Sequence, residues 1–318
     1  MPVLLLVKTS SLGDVIHAMP ALTDLQAHDP SWTVHWMVEE ALACLPLLHP
    51  MTASVVPIAM RRWRRAPASA QTRREVGALR GHLRTLAPDL VLDLQGLLKS
   101  AVLAALAPGE RHGYDFRSAR EPLAALFYSR RHAVARDQHA VTRNRQLTAR
   151  ALGSDASGDC DYGLGRVQGL DPASPRTTAL LLHASSRDDK LWPESHWVQL
   201  GEQLAARGLH CVLPAGNAAE SARAERIASA IPGARALLPG PLANLLPAFA
   251  AARLAVGVDT GLTHLATAYG LPTVALFTAT DPAATGVFGS PAAVNLGGVH
   301  ACPEVSDVLV QLERLGGC

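Results

Sequence analysis

At 318 residues, 48% of them hydrophobic, the chain exceeds the usual size of one hydrophobic core and reads as two domains of roughly 150 residues, with a single large domain as the alternative. No stretch approaches the ~18 to 20 uninterrupted apolar residues of a membrane-spanning helix, so the expected protein is soluble. Net charge is only +2, yet residues 1–150 hold 19 Lys and Arg against 12 Asp and Glu, whereas residues 151–318 hold 10 against 15, so an anionic partner is expected to meet the first half.

The chain opens on the apolar run Met1 to Val7, which Lys8 ends at once. No basic region precedes the run, the reverse of a signal peptide's order, so it reads as a buried first strand of a cytosolic protein. Further short runs at Val34–Val38, Val55–Pro57 and Leu90–Leu94, each ahead of a longer helix-like segment, predict parallel strands with crossover helices. The segment Gly153 to Ser174 is rich in Gly, Asp, Ser and Pro and reads as a connector. Its Gly163-Leu164-Gly165 triplet is followed by Gly169, which makes G-x-G-x-x-x-G without a strand-then-helix context and does not make a dinucleotide fingerprint. The pattern then resumes with Ala179–His183, His210–Pro214, Leu254–Val258 and Thr273–Phe277. From Glu304 to Leu315, apolar residues at helical spacing predict a closing helix. The expected organisation is therefore an α/β domain over 1–153, a second over 175–302, and a C-terminal helix over 303–318. The five cysteines are odd in number and widely spaced, with no Cys-x-x-Cys pair to suggest a metal or redox site.

Four stretches carry residues suited to chemistry. Lys8-Thr9-Ser10-Ser11-Leu12-Gly13-Asp14 follows the first strand, and small hydroxyl residues and a glycine there form a loop whose backbone amides can face a ligand. Asp14, where a helix begins, is either a first-turn carboxylate stabilised by the helix dipole or a general base at the sheet's carboxyl edge. Arg61-Arg62-Trp63-Arg64-Arg65 concentrates bidentate phosphate donors on a short, loop-like stretch. No dense aromatic surface or nucleic-acid module accompanies it, so a phosphorylated lipid or sugar fits as well as nucleic acid. The same patch would draw the protein to an anionic membrane face by about 1 kcal/mol per basic residue close to the surface.

The third stretch, His183 to Glu194, places Ser185, Ser186 and Lys190 between a strand and a helix, an arrangement suited to a diphosphate. Lys190 is alternatively a surface partner of Asp188, Asp189 or Glu194. The fourth, Val258-Asp259-Thr260-Gly261-Leu262-Thr263-His264, again ends a strand and starts a helix, as a ligand loop or as an ordinary capping turn. An aspartic protease would need a second Asp-Thr-Gly or Asp-Ser-Gly, and the chain has none. Three of the four stretches follow strands of open parallel sheets, where ligands bind beyond the carboxyl ends, and independent caps need no such pattern.

With these residues the sequence resembles the ADP-heptose:lipopolysaccharide heptosyltransferases, glycosyltransferase family 9. The likeness runs over almost the whole chain. It rests on Val7 to Val15, Pro20 to Asp24, Val38-Glu39-Glu40, Arg61 to Arg64, Gln95-Gly96-Leu97, Lys99-Ser100-Ala101, Ala119 to Ala124, Arg187 to Lys190 and Asp259 to Leu262. The resemblance implies a GT-B fold, two Rossmann-like domains with parallel sheets facing across a cleft, and an inverting, metal-independent transfer needing no cofactor. It implies ADP-L-glycero-D-manno-heptose as donor, bound by the second domain, and Kdo2-lipid A as acceptor, met by the first, with no nucleic acid partner and a peripheral position at the cytoplasmic face of the bacterial inner membrane.

By the same resemblance Asp14 is the base and Lys190 stabilises the departing diphosphate. Ser185, Ser186, Lys190, Glu220, Asp259, Thr260, Gly261 and His264 are donor-site residues, and Arg61, Arg62, Arg64, Arg65 and Arg120 are acceptor-site residues. Serines at 185 and 186 stand where relatives often carry threonines, which keeps the hydroxyls. The stretch Leu238-Pro239-Gly240-Pro241 lacks the family's adenine-facing methionine. The Arg-Arg-Trp-Arg and Ala-Arg-Glu-Pro stretches favour a Kdo acceptor over the heptose acceptor of heptosyltransferase II. Two other classes compete: a nicotinamide-dependent oxidoreductase, disfavoured by the missing G-x-G-x-x-G, and a lipopolysaccharide-binding protein that would release no ADP.

Overall fold

Val3–Val7 forms the first strand, β1, and is almost wholly buried, as an apolar run covered on both faces requires. It pairs in parallel with Thr33–Glu39 (β2) on one side and Leu90–Asp93 (β4) on the other. Thr52–Ile58 (β3), Glu110–Tyr114 (β5) and Arg130–His132 (β6) complete a six-stranded sheet in the order β3-β2-β1-β4-β5-β6, every pair parallel. This computed structural model describes residues 1–164 and 176–317. It divides into two units, Met1–Gly163 and Leu164–Cys318.

The second unit repeats the topology. Its strands are Thr178–Leu182 (β7), His210–Leu213 (β8), Arg235–Ala236 (β9), Ala252–Val258 (β10), Thr273–Phe277 (β11) and Ala293–Gly297 (β12), ordered β12-β11-β10-β7-β8-β9 and again parallel. Counted from each unit's own first strand, both sheets run 3-2-1-4-5-6, the doubly wound order whose direction reverses between the first and fourth strands.

Each unit has its own apolar core. In the first, Leu5, Val7, Met37 and Val91 from the sheet meet Trp63, Leu79 and Leu83 from the helices Met60–Arg65 and Ala70–Leu86. In the second, Leu181, Val256 and Leu276 meet Trp192, Trp197, Val308 and Leu312. The last two belong to the helix Val305–Arg314, which docks its apolar stripe into the second unit's core.

All eight apolar runs are strands; β5, β6, β9 and β12 lack such a run and are additions. The stretch 61–65, expected as loop-like, is helical, because Trp63 turns into the core and leaves Arg61, Arg62, Arg64 and Arg65 outside. The start of the anticipated connector is packed against the first unit: Arg145 donates to the Gly158 carbonyl at 2.7 Å, and Tyr162 is buried. Residues 165–175, with part of the glycine triplet's pattern, lie outside the described residues.

Candidate active site

In the first unit the reversal of strand order lies between β1 and β4, and the loop Lys8–Ser11 leaves β1 there. Ser11 precedes the short helix Leu12–Ile16, and the side chain of Asp14 turns back to it. The Ser11 amide donates to Asp14 Oδ2 at 2.7 Å and the Ser11 hydroxyl at 3.1 Å, so Asp14 satisfies an otherwise unpaired helix-start amide. Both bonds fall on Oδ2; Oδ1 takes neither. The carboxylate is half-buried, and the Lys99 ammonium lies 3.4 Å from the Ser10 hydroxyl in the same loop.

Beneath this loop is a buried polar network that sequence reading missed. Lys8 is 5% exposed, and its Nζ donates to the Leu94 carbonyl at 2.8 Å and to Asn144 Oδ1 at 3.3 Å. Asp93, fully buried at the end of β4, accepts from Ser100 and Tyr128 hydroxyls and from the Gln95 amide, each at 2.7 Å. Burial lowers the Lys8 pKa, opposed by the charges of Asp14 and Asp93. Burial likewise raises the Asp93 pKa, opposed by those hydrogen bonds. Gln95 Oε1 accepts the Thr9 and Ser10 amides at 3.0 and 3.3 Å, and the Trp36 indole donates to the Lys8 carbonyl. The loop bearing Asp14 is thus held from below at three consecutive residues. The signal available in the sequence was a lysine closing an apolar strand, a position where a charged residue is either solvated or paired.

The proposed acceptor arginines come from two places in the chain. Arg61, Arg62, Arg64 and Arg65 follow β3, while Arg120 is exposed after β5. Arg120 returns toward the loop after β4, where the neighbouring Glu121 amide donates to the Gly96 carbonyl at 3.0 Å, while the Arg61 amide donates to Glu39 Oε1 at the end of β2 at 3.2 Å. Arg62 is already engaged, donating to Glu75 at 2.7 and 2.8 Å and pairing with Glu40 at 3.2 Å. Together with the Trp63 indole and Gln71, Arg62 pulls the Glu75 pKa down to about 2. Arg61, Arg64 and Arg65 remain as exposed cations.

In the second unit the corresponding reversal lies between β7 and β10. The loop after β7 and the loop after β10 meet there: Lys190 Nζ pairs with Asp259 Oδ2 at 2.6 Å, and the Ser185 hydroxyl donates to the Asp259 carbonyl at 3.2 Å. Of the surface partners the sequence offers Lys190, Arg187 takes Asp189, and Arg223 and Arg226 take Glu194. Thr280, from the loop after β11, donates to Asp259 Oδ2 at 2.7 Å. It is a member of the cluster that the sequence reading missed, although the rule of looking past each strand end applies equally to β11.

Thr260 is the N-cap residue of the helix Gly261–Ala268, whose early amides face the same edge. Gly257, late in β10, has no room for a side chain: an added Cβ would lie 2.1 Å from Thr263 Oγ1. That close approach seats the helix on its strand, with Thr263 donating to the Val258 carbonyl at 2.7 Å. His264 is buried within the helix, and Ser186 is exposed beside Ser185. Glu220 is not joined to the Lys190 cluster; it accepts the Gly216 amide at 2.7 Å and the Asn217 side-chain amide at 2.6 Å, capping the helix that follows β8. It still occupies the carboxyl edge, one strand along from β7. Fully buried His183 ends the β7 run, and burial, with the Arg223 charge nearby, brings its pKa down to about 4.

A flexible, part-exposed ammonium, two hydroxyls and a helix N-terminus suit a phosphorylated leaving group, and a half-buried carboxylate on a braced loop suits proton abstraction. Among the described residues, no group of three or more His, Cys, Asp or Glu side chains is arranged to hold a metal ion, and no helix is long and apolar enough to cross a membrane.

The sequence pattern of glycosyltransferase family 9 (heptosyltransferase) matches residues 76–309. A Pseudomonas aeruginosa protein named lipopolysaccharide heptosyltransferase 1 is 44% identical over 302 residues, 94% of this chain and 84% of its own length. The solved structure of the Escherichia coli heptosyltransferase WaaC with ADP is 39% identical, covers 98% of this chain and 99% of its own, and superposes with a TM-score of 0.92. The same enzyme with ADP-2-deoxy-2-fluoro heptose gives 0.89. The E. coli ADP-heptose lps heptosyltransferase II, at 21% identity and a TM-score of 0.74, shares the fold.

Proposed function

The chain belongs to glycosyltransferase family 9, the heptosyltransferases, with the GT-B pair of Rossmann-like units, and from that membership we propose the reaction and the residues that perform it. The donor is ADP-L-glycero-D-manno-heptose and the acceptor a Kdo hydroxyl of Kdo2-lipid A, with inversion at the anomeric carbon and no metal or cofactor. The enzyme works in the cytoplasm, peripherally at the inner face of the inner membrane. The observation that carries this reading is the placement of Asp14 and Lys190, each at the carboxyl edge of its own sheet where the strand order reverses.

Asp14 accepts the proton of the Kdo hydroxyl as that oxygen attacks the anomeric carbon of heptose. The bond from that carbon to the β-phosphate oxygen breaks with both its electrons, and ADP departs from the opposite face. Charge grows on the departing diphosphate, and Lys190 with the Ser185 and Ser186 hydroxyls and the amides after Thr260 stabilise it. To do so Lys190 turns from Asp259 toward the phosphate, while Thr280 and the loop retain the carboxylate. Glu220 and His264 complete the donor side, Glu220 toward the nucleoside ribose. Arg61, Arg64, Arg65 and Arg120, with Arg62 released or bridging from Glu75, receive the acceptor's carboxylates and phosphates as bidentate donors.

Release of ADP by the purified protein, measured with Kdo2-lipid A and with a heptosylated acceptor in separate reactions, tests this reading. Turnover with the first acceptor is expected. Turnover with the heptosylated acceptor alone would assign the chain to the heptosyltransferase II reaction, and binding of acceptor with no ADP release from either would overturn the transferase reading.

A further inference from the structure

Ten large apolar side chains are conspicuously exposed among the described residues, and five of them come from one stretch of the first unit: Leu98, Val102, Phe116, Leu123 and Leu126. Leu98 and Val102 are four residues apart on the helix Leu98–Ala104 and share a face. Leu123 and Leu126 are three apart on the short helical segment Pro122–Phe127, where three-residue spacing stacks side chains, and they are 60% and 61% exposed. The two elements pack directly: Ala101 is buried against Ala124, Ala125 and Tyr128, and the Leu98 amide donates to Glu121 Oε2 at 2.6 Å. Phe116 joins through Arg131, whose guanidinium lies 5.4 Å from the ring centroid while its Nε donates to the Ala125 carbonyl at 2.7 Å. The contact between the two elements is built of Ala101, Ala124, Ala125 and Tyr128, and Leu98, Leu123 and Leu126 lie exposed outside it.

Charge surrounds the apolar residues. Between residues 98 and 131 there are six Lys and Arg against three Asp and Glu. Arg117 and Arg131 are exposed, and Lys99 is half-buried. We propose that Leu98, Val102, Phe116, Leu123 and Leu126, rimmed by Arg117 and Arg131, form the surface by which the protein sits on an anionic phospholipid bilayer. Projecting leucines and a phenylalanine enter the headgroup boundary, and long basic side chains keep their charges in the phosphate layer while their stems lie along the apolar contact. A second copy of the chain is a poorer occupant, because a self-complementary contact would bring each excess of arginine against another. The bilayer supplies the opposite charge along the whole rim. The patch differs from the Arg61–Arg65 helix, which follows β3 at the far edge of the sheet, where Arg62 is held by Glu40 and Glu75.

The inference deepens, and rests on, the peripheral location proposed above. Its test uses the whole protein and sedimented vesicles of phosphatidylcholine, with or without phosphatidylglycerol. The native chain is expected to bind the anionic vesicles, more weakly as salt rises, and to ignore the neutral ones. A Leu123→Ser, Leu126→Ser variant, which alters two exposed side chains, is expected to lose about tenfold or more in partition while its melting temperature and its ADP release with a deacylated, water-soluble acceptor stay native. Arg117→Glu, which touches no apolar residue, is expected to weaken binding and flatten the salt dependence. If the native chain binds neither vesicle, the peripheral location falls together with the surface. If both variants bind like the native chain, this surface is wrong while the location stands. Sedimentation velocity showing a dimer that the leucine variant dissociates would give the patch to a second copy and overturn the proposal.

Discussion

The carboxyl edges of the two sheets share a strand order and treat charge in opposite ways. At the first, Lys8 and Asp93 are 5% and 0% exposed and are enclosed by carbonyl, hydroxyl and amide partners, so the charges are fixed parts of the scaffold. At the second, Lys190 and Asp259 have side chains 18% and 11% exposed and hold each other. A buried charge whose partner is removed is costly, whereas a pair near solvent can exchange partners at modest cost. The difference fits the proposed division of labour: the base loop must keep one geometry, and the donor loop must open its ion pair to a diphosphate and close it again when ADP leaves.

Four experiments press on that contrast. Asp14→Ala carries the largest expected effect, a fall in kcat of about 10²- to 10⁴-fold with the fold intact, because the side chain braces only the start of a five-residue helix. Retained turnover in a steady-state ADP-release assay would remove the base from the mechanism. Lys8→Met comes next: it strips the Leu94 carbonyl and Asn144 of a donor and leaves Asp93 without a nearby buried cation, at a cost of about 3 kcal/mol. Urea denaturation followed in the first unit should register it, and a loss below about 1 kcal/mol would mean the network is not rigidly coupled.

His183 gives a comparable effect on the other unit. Its folded pKa of about 4 lies below the unfolded 6.5, so below pH 6.5 the unfolded chain takes up a proton that the folded chain refuses. Stability is full above pH 6.5 and falls as pH drops toward 4, by about 3 kcal/mol in all. Denaturation midpoints between pH 7 and 5 should fall less steeply in His183→Gln, and parallel curves would exclude this histidine as the source. The smallest effect is expected from Lys190→Ala, about 10²-fold in kcat/KM for the donor. A large loss of stability with unaltered donor kinetics would make the Lys190–Asp259 pair structural and erase the contrast.

The parts of the fold that were legible are those whose residues must be apolar to lie where they do. Strands β1, β4, β7, β10 and β11 are covered on both faces and advertise themselves as runs rich in Val, Leu and Ala. β6, Arg130-Arg131-His132, and β9, Arg235-Ala236, are sheet edges, kept short and charged as unpaired edges generally are, so no hydrophobic pattern marks them. β5 is interior yet reads Glu-Arg-His-Gly-Tyr, and its own His112 meets His132 of β6 at 3.1 Å, a polar contact in place of an apolar one. The same limit governs the sites. Asp14, Lys190 and Asp259 are candidates that following a strand into a loop singles out, since that placement is local in sequence. The support of Thr9 and Ser10 by Gln95, and the association of Thr280 with Asp259, depend on which strands become neighbours, and residue spacing carries no trace of that. The leucines at 123 and 126 were legible as apolar but not as exposed, because the buried side of their segment is filled by alanines.

The order of the strands also governs how each unit comes apart. β1 and β4 in one unit and β7 and β10 in the other lie in the middle of their sheets, and the candidate loops leave β1, β7 and β10, while the three-residue β6 and two-residue β9 form outer margins. Partial opening starts where the fewest hydrogen bonds must break, so amide deuteration should sweep inward from those margins and reach β1 and β7 last. Thermal fluctuation then erodes the periphery while the loops that end the central strands keep their shape.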